Sequence, residues 1–133
     1  MKQKFSTEWK ASRQIRKQRK YRMNAPLHIK QKFLSANLSK ELRKKHGKRS
    51  IEARKGDNVI VMRGKFKKKK GKISKVDLKR TRIAIEGIQR QKKDGTKVNV
   101  YFHPSKIQII ELAERKTKIK HEVKNASEKK PSA

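Results

Sequence analysis

Apolar residues follow two different spacings along this chain. Before residue 55 they are sparse and recur at helical intervals, whereas from residue 55 to residue 112 they form short runs and alternations typical of β-strands. The segment after residue 112 is largely polar, although Ile119 and Val123 stand one helical turn apart. The pattern therefore divides the chain into a N-terminal arm (residues 1–54), a β-rich domain (residues 55–112) and a C-terminal tail (residues 113–133).

Two short helices are predicted in the arm. Residues 24–27 read Asn-Ala-Pro-Leu, which places Pro26 in the first turn of a helix with Asn24 or Ala25 as the N-cap. A second helix is expected to begin at Ser39, a good capping residue, and to end at Gly47. The preceding run, residues 13–22, is cationic on every face, so we do not expect it to fold in isolation.

The β-rich domain is predicted to contain five short strands. The expected strand positions are residues 59–62, residues 72–77, the region of Ile83 and Ile85, residues 96–102 and residues 107–112. Asp94-Gly95 is a strong hairpin-turn signal, flanked by extended segments at residues 89–93 and 96–102. Five short strands within about 60 residues indicate a small β-barrel.

A turn and a basic loop flank the first predicted strand. Gly56 can adopt positive φ, and the carboxylate of Asp57 can accept hydrogen bonds from nearby backbone amides, so both residues predict a turn. After the strand, glycines at positions 64 and 71 bound a loop that carries five lysines. Ammonium groups at this density suit phosphate oxygens and do not read base edges.

Charge is the strongest indication of function. The 133 residues include 42 Lys or Arg and 11 Asp or Glu, which gives a formal net charge of +31 spread along the whole length. Such a chain repels itself when compact and needs a dense polyanion, for which nucleic acid is the natural candidate. We expect the β-rich domain to fold alone, whereas residues 1–22 and 113–133 become ordered only on a partner.

Other chemistries find little support in the sequence. Cysteine is absent and the four histidines are scattered without zinc-ligand spacing, so we expect neither a metal nor another cofactor. No acidic pair or oriented nucleophile suggests an enzyme. No apolar stretch approaches the roughly 18 residues that span a membrane, and the composition suits a soluble intracellular protein without membrane insertion.

Aromatic residues are too few for base stacking to be the main mode of binding. They make up 5% of the chain. For Phe33 and Tyr101 ordinary packing is the favoured interpretation, whereas for Phe66, which lies among lysines, RNA contact and local packing are equally favoured. Trp9 and Tyr21 are further candidates for stacking.

The segment from Lys55 to Ile73 is a KOW motif, and the chain resembles a family that carries it: the large-subunit ribosomal proteins numbered twenty-four in bacteria and archaea and twenty-six in eukaryotes. Further resemblance lies in two arm segments, residues 24–29 and 38–43, and in residues 61–64, 94–96 and 103–106 of the β-rich domain. Residues 77–83 are closer to archaeal members. One departure is Lys68, because the family usually has glycine shortly after residues 66–67.

The resemblance implies a mainly β fold, with a small SH3-like KOW barrel, a basic and partly helical arm, and a C-terminal tail. It also implies a structural role in the large ribosomal subunit in the cytoplasm, binding to the 5′ region of large-subunit ribosomal RNA, early action in assembly, and a position beside the polypeptide exit tunnel. Neighbouring large-subunit proteins and ligands at the exit tunnel would be partners, and the family's hairpin near the exit maps to residues 86–98.

The residues predicted to bind ribosomal RNA are mostly cations from all parts of the arm and domain. In the arm they are Arg13, Arg16, Lys17, Arg19, Lys20, Arg22, His28, Lys30, Arg43, Lys44, Lys45, Arg49 and Arg54. In the β-rich domain they are Arg63, Gly64, Lys65, Phe66, Lys67, Lys68, Lys69, Lys70, Arg80, Arg82, Arg90, His103 and Lys106.

Proteins with different functions share some of these features. Transcription elongation factors also contain the KOW motif, but they resemble multi-domain proteins with an additional α/β domain, and residues 1–54 are too basic and too poor in strands to form one. Charge alone also leaves open a protein that binds nucleic acid without specificity, by compacting DNA for example, and a polybasic membrane-surface protein.

Overall fold

The computed structural model describes residues 5–114, so the predicted C-terminal tail lies outside the described residues from position 115 onwards. Within this range, three α-helices and seven strands follow one another: α1 (Ile15–Asn24), α2 (Leu27–Phe33), β1 (Ser35–Leu38), α3 (Lys40–His46), β2 (Ser50–Glu52), β3 (Asn58–Val61), β4 (Lys70–Asp77), β5 (Arg82–Gln91), β6 (Lys97–Phe102) and β7 (Ile107–Glu111). Short 3-10 helices occupy Glu8–Ala11 and Pro104–Lys106.

These strands belong to one sheet that encloses the core. The strand order is β2-β1-β7-β3-β4-β5-β6, with β1 and β7 parallel and the other neighbours antiparallel. Leu38 of β1 and Phe102 of β6 lie far apart in this order, yet both belong to the same cluster of buried apolar residues. The sheet therefore curls around its core, and the prediction of a mainly β, barrel-like protein with a helical N-terminal region is confirmed.

The sequence predicted only short helices before residue 55, and this was wrong for β1 and β2. Ala36 pairs with Ile51 between these two strands, and Leu38 pairs with Ile109 of β7. The inward side chains of β1, Ala36 and Leu38, are fully buried, so the core crosses the predicted boundary at residue 55. The two strands are four and three residues long and are held by distant partners, which local periodicity cannot reveal.

The five strands predicted after residue 55 are confirmed as β3 to β7. Val59 and Val61 of β3 and Ile83 and Ile85 of β5 are all buried. The predicted loop is shorter than expected, however, because β4 begins at Lys70. Gly71 is needed for close packing and not for a bend, since a Cβ there would lie 2.7 Å from Cγ2 of Ile85.

The β5–β6 hairpin is divided into two parts by a bulge. Ala84 pairs with Tyr101 and Gln89 pairs with Asn99, so four residues of β5 lie opposite one residue of β6. Gly87 within this bulge has φ +75°, a conformation that is unfavourable for residues with a side chain. Beyond the bulge the hairpin is almost wholly exposed, and the predicted extended segment at residues 89–93 is the end of β5 together with its turn.

Helix α3 forms as predicted. The hydroxyl of Ser39 accepts a hydrogen bond from the backbone N–H of Leu42, and Gly47 ends the helix with φ +59°. Helix α2 also forms, but its N-cap is Pro26 and not Asn24 or Ala25. None of its residues is buried, and it is anchored by the residue that follows it, because Leu34 at the C-cap is 1% exposed whereas Leu27 is 59% exposed.

Candidate nucleic-acid interface

A first basic groove lies between α1, α2 and the turn that joins β4 to β5. We call it the helix groove; its volume is about 640 Å³. The Asp77 carboxylate accepts a hydrogen bond from the Arg80 backbone N–H at 3.0 Å, which shapes the turn, and Lys30 Nζ lies 3.5 Å from the Lys79 carbonyl oxygen. None of the described residues that line it is acidic: Arg19, Arg22, Met23, Lys30, Phe33, Lys79, Arg80, Thr81 and His103.

A second basic groove runs across the end of the β5–β6 pair. We call it the strand groove; its volume is about 430 Å³. The basic loop, the start of β5, the end of β6 and the second 3-10 helix all contribute to its walls. The described residues that line it again include no carboxylate: Arg63, Gly64, Lys65, Phe66, Arg82, Val100, Tyr101, Phe102, His103 and Lys106.

His103 belongs to both grooves and joins them. Its Nδ1 lies 2.8 Å from the Ser105 hydroxyl and accepts the Ser105 backbone N–H at 3.3 Å, so it caps the 3-10 helix. Partial burial lowers the pKa of His103 below its usual value, and the nearby charges of Arg82, Arg22 and Lys106 lower it further. The imidazole therefore lies where positively charged side chains of the helix groove and of the strand groove come close together.

The basic loop, residues 62–69, is folded so that its lysines point outwards. The backbone N–H of Lys68 donates to the Val61 carbonyl at 2.8 Å, and that of Lys67 donates to the Gly64 carbonyl at 3.0 Å. Its lysines are all exposed, namely Lys65, Lys67, Lys68 and Lys69, and so is Lys70 at the start of β4. Lys68 has φ +69°, so the position at which the resemblance leads us to expect glycine adopts a conformation that favours glycine.

Two of the aromatic residues that were candidates for stacking, Tyr21 and Phe66, pack against other aromatic rings. Tyr21 is buried between Phe5 and Phe33, with ring centroids 5.0 Å and 6.0 Å away. These rings hold α1 against α2, and they thereby position the cations of α1. Phe66 packs edge-on against Phe102 at 6.1 Å and anchors the basic loop to the barrel.

The arm cations fall into two groups. Arg13, Arg16, Arg19, Lys20 and Arg22 lie on or just before α1, and Arg19 and Arg22 of this group enter the helix groove. Lys17 instead places its Nζ 4.0 Å from the centroid of the Trp9 ring.

Other predicted residues line neither groove, although Arg90 borders a depression that shares Lys65, Phe66 and Val100 with the strand groove. His28 is exposed on α2, and Arg90 is exposed on the projecting hairpin. Arg43, Lys44, Lys45 and Arg49 lie on or after α3, and Arg54 borders a separate depression with Lys55. The structure therefore gathers only part of the predicted set into one surface.

Lys79 is the cation of the two grooves that sequence reasoning missed. It precedes Arg80, which was predicted, and it faces the same groove because the turn is held by Asp77. The signal that could have revealed it is the turn itself: Asp77 and Thr81 bracket a short, polar, basic connection between two strands.

Within residues 5–114, no helix combines the length and the apolar character needed to cross a membrane. Over the same residues, no three histidine or acidic side chains lie close enough together to share a metal ion.

Comparison with known proteins identifies the family. A family model that describes the eukaryotic L26 and archaeal L24 ribosomal proteins matches residues 12–123. The chain is 54% identical over 96 residues to the large ribosomal subunit protein uL24 of Korarchaeum cryptofilum, covering 72% of this chain and 73% of the relative. It is 50% identical over 101 residues to the uL24 protein of Methanothrix thermoacetophila, covering 76% of this chain and 87% of the relative. The expected closeness to archaeal members is thus confirmed, and the chain belongs to the family of eukaryotic L26 and archaeal L24 ribosomal proteins.

Proposed function

We propose that this protein binds the RNA of the large ribosomal subunit, of which it is a structural constituent in the cytoplasm. Its family membership supports the ribosomal role. The observation that carries the RNA proposal is the pair of grooves joined at His103. Nine cations line them and, among the described residues, no acidic side chain does: Arg19, Arg22, Lys30, Lys79, Arg80, Arg63, Lys65, Arg82 and Lys106.

Phosphate contacts explain how binding would be driven. Each cation that neutralises a phosphate releases condensed counterions, so affinity falls with salt on a log–log scale. Contact with about ten phosphates gives a slope near −9 on duplex and near −7 on single strands. The arginines Arg22, Arg80 and Arg82 can also make bidentate contacts with phosphate oxygens, which lysines cannot.

The finer placement rests on the resemblance. From it we propose that this protein binds the 5′ region of large-subunit RNA, acts early in assembly and lies beside the exit tunnel. The projecting end of the β5–β6 hairpin, from Glu86 to Val98, is largely exposed and suits a contact outside the RNA-bound body. Neighbouring ribosomal proteins and ligands at the exit tunnel are the partners that such a hairpin would meet, and the protein has no catalytic role in this proposal.

The proposal is tested by sedimentation of the full chain from cell lysate. We expect it to travel with large ribosomal subunits and to remain on them when low magnesium separates the subunits. Sedimentation with RNA polymerase would instead identify an elongation factor. Equal affinity of purified protein for ribosomal RNA, duplex DNA and anionic vesicles would show non-specific binding to polyanions.

A charge variant locates the interface. The triple variant Arg22→Gln, Arg80→Gln, Arg82→Gln removes three cations around His103 and should reduce the magnitude of the salt slope by about 2 to 3. The matched control Lys92→Gln, Lys93→Gln removes exposed cations from the hairpin turn and should change the slope by less than about 1. Similar changes in both variants would contradict the placement.

A further inference from the structure

Tyr101 is the exposed aromatic residue in the strand groove. Its side chain is 42% exposed, whereas its neighbour Phe102 on β6 is 6% exposed. Among the described residues, its hydroxyl has no hydrogen-bond partner. A tyrosine placed in this way contributes little to the core, so its position needs another explanation than packing.

The backbone beneath Tyr101 is held firmly. The residue pairs with Ala84, and Phe102 pairs with Ile83, in the part of the β5–β6 ladder that belongs to the barrel. The side chains of two residues that pair directly opposite each other lie on the same face of a sheet. The partner of Tyr101 is Ala84, whose side chain is only a methyl group. The ring is thus mounted on a rigid strand with no bulky partner opposite it.

The surroundings of the ring match the chemistry of a nucleotide. Arg63, Arg82 and Lys106 line the same groove, whose volume of about 430 Å³ is in the range of small-molecule sites. An apolar ring between cations can take a base on its face while phosphates on either side contact the charges. Proteins that hold unpaired bases of RNA combine these two elements.

The other aromatic rings near cations are less available. Trp9 is also 42% exposed, but Nζ of Lys17 lies 4.0 Å from its centroid. Phe66 contacts Phe102 at 6.1 Å and has Nζ of Lys69 at 5.4 Å from its centroid. Of the rings that the structure describes, Tyr101 is the one that is both exposed and surrounded by cations in a groove.

We propose that Tyr101 is a stacking platform for an unpaired RNA base, and that Arg63, Arg82 and Lys106 hold the phosphates next to that base. This inference rests on the proposed binding of RNA, and it adds a preference for unstacked nucleotides that phosphate contacts alone do not give. The protein recognises an unstacked nucleotide at the strand groove, whereas the lysines of the basic loop accept any phosphate backbone.

The first experiment compares the affinity of the full chain for two RNA probes at physiological salt: a single strand of about ten nucleotides and a duplex of the same length. Replacing Tyr101 by leucine should weaken binding to the single strand by about fivefold to 150-fold, the usual effect of removing one stacking ring. Duplex binding and both salt slopes should stay unchanged, because no charge is removed.

Two control variants separate stacking from other effects. Tyr101→Phe keeps the ring and should bind the single strand as the unaltered protein does. Trp9→Leu removes an equally exposed ring outside the groove and should weaken single-strand binding at least about threefold less than Tyr101→Leu. Equal losses for Trp9→Leu and Tyr101→Leu, or equal losses on single strand and duplex, would overturn the proposal.

A second measurement needs no variant and therefore does not depend on the folding of Tyr101→Leu. A single strand that carries 5-iodouridine is photocrosslinked to the full chain, and the adduct is located by mass spectrometry. We expect an adduct on Tyr101, and adducts confined to other residues would overturn the proposal. Failure to bind either RNA at physiological salt would instead contradict the proposed function, so the two failures are distinguishable.

Discussion

Two apolar clusters stabilise the described part of this protein, and they differ greatly in size. The barrel is built around thirteen buried residues contributed by six of its seven strands and the segments beside them. Helix α1 is held through one buried residue, Tyr21, which lies between Phe5 and Phe33. From this difference we expect the barrel to be stable alone, whereas α1 has few contacts that favour its folded position in the absence of a partner.

The local features of α1 point the same way. Its N-cap Gln14 makes no side-chain capping bond, and its first turn contains no acidic residue to complement the helix dipole. Five of its residues are Lys or Arg, and their mutual repulsion opposes the helix unless a polyanion neutralises them. Our expectation that residues 1–22 become ordered on RNA therefore stays a prediction with a clear physical basis.

The largest expected effect comes from making the same substitution in both regions. Ile109 of β7 is fully buried, and Ile109→Ala should lower the free energy of unfolding by about 2–5 kcal/mol. Ile15 at the start of α1 is 74% exposed, and Ile15→Ala should change that free energy by less than about 0.5 kcal/mol. Urea denaturation measures both, and comparable losses would mean that α1 and the barrel unfold as one unit.

A somewhat smaller effect is expected for Asp57, the buried carboxylate of the barrel. Its two oxygens accept the backbone N–H groups of Arg54 at 2.9 Å and Ala113 at 3.0 Å, which joins the segment before β3 to the segment after β7. Asp57→Ala should cost about 2–3 kcal/mol of unfolding free energy, because two partly buried backbone donors lose a charged acceptor. Asp77→Ala removes an exposed hydrogen bond and should cost less than about 1 kcal/mol in the same denaturation measurement.

A stabilising change is expected in the basic loop. Lys68 has φ +69°, which costs a non-glycine residue about 1–2 kcal/mol, whereas glycine loses about 0.5–1 kcal/mol through its extra freedom when unfolded. Lys68→Gly should therefore raise the free energy of unfolding by about 0.5–1 kcal/mol. Lys67→Gly, at a residue without positive φ, should lower it, and a loss in both variants would show that Lys68 is unstrained.

The smallest effect concerns pH. Because burial and then Arg82, Arg22 and Lys106 lower the pKa of His103, the unfolded chain binds more protons as pH falls below about 6.5. The contribution of His103 to stability is therefore present above that pH and is lost as pH falls towards the lowered pKa. Bound RNA neutralises the same cations and so favours protonation of His103. The affinity of the protein for RNA should therefore rise as pH falls over this range.

The His103→Gln variant isolates this contribution from the other histidines. Calorimetric unfolding and RNA binding, each followed from about pH 7.5 to about pH 5, should show opposite trends for the unaltered chain, and the variant should have a weaker pH dependence in both. A stability that increases as pH falls, attributable to His103, would contradict the lowered pKa.

Local sequence signals predicted much of the fold but little of the interface geometry. The alternation of Val59 and Val61, the cap at Ser39 and the stop at Gly47 each act over a few residues, so they could be recognised without a structure. Strands β1 and β2 could not be recognised in this way, because their short sequences become strands only through pairing with distant partners. The grooves could not be predicted for the same reason. Arg22, Arg80 and His103 are far apart in sequence, and only the folded topology brings them together.

Amide hydrogen exchange on the full chain, free and bound to ribosomal RNA, tests the central claim most directly. The account predicts that amides of β3 to β7 are protected in both states, and that amides of α1 are protected only with RNA. Strong protection of α1 in the free protein, equal to that of the barrel, would contradict the claim that this helix depends on a polyanion for its folded position.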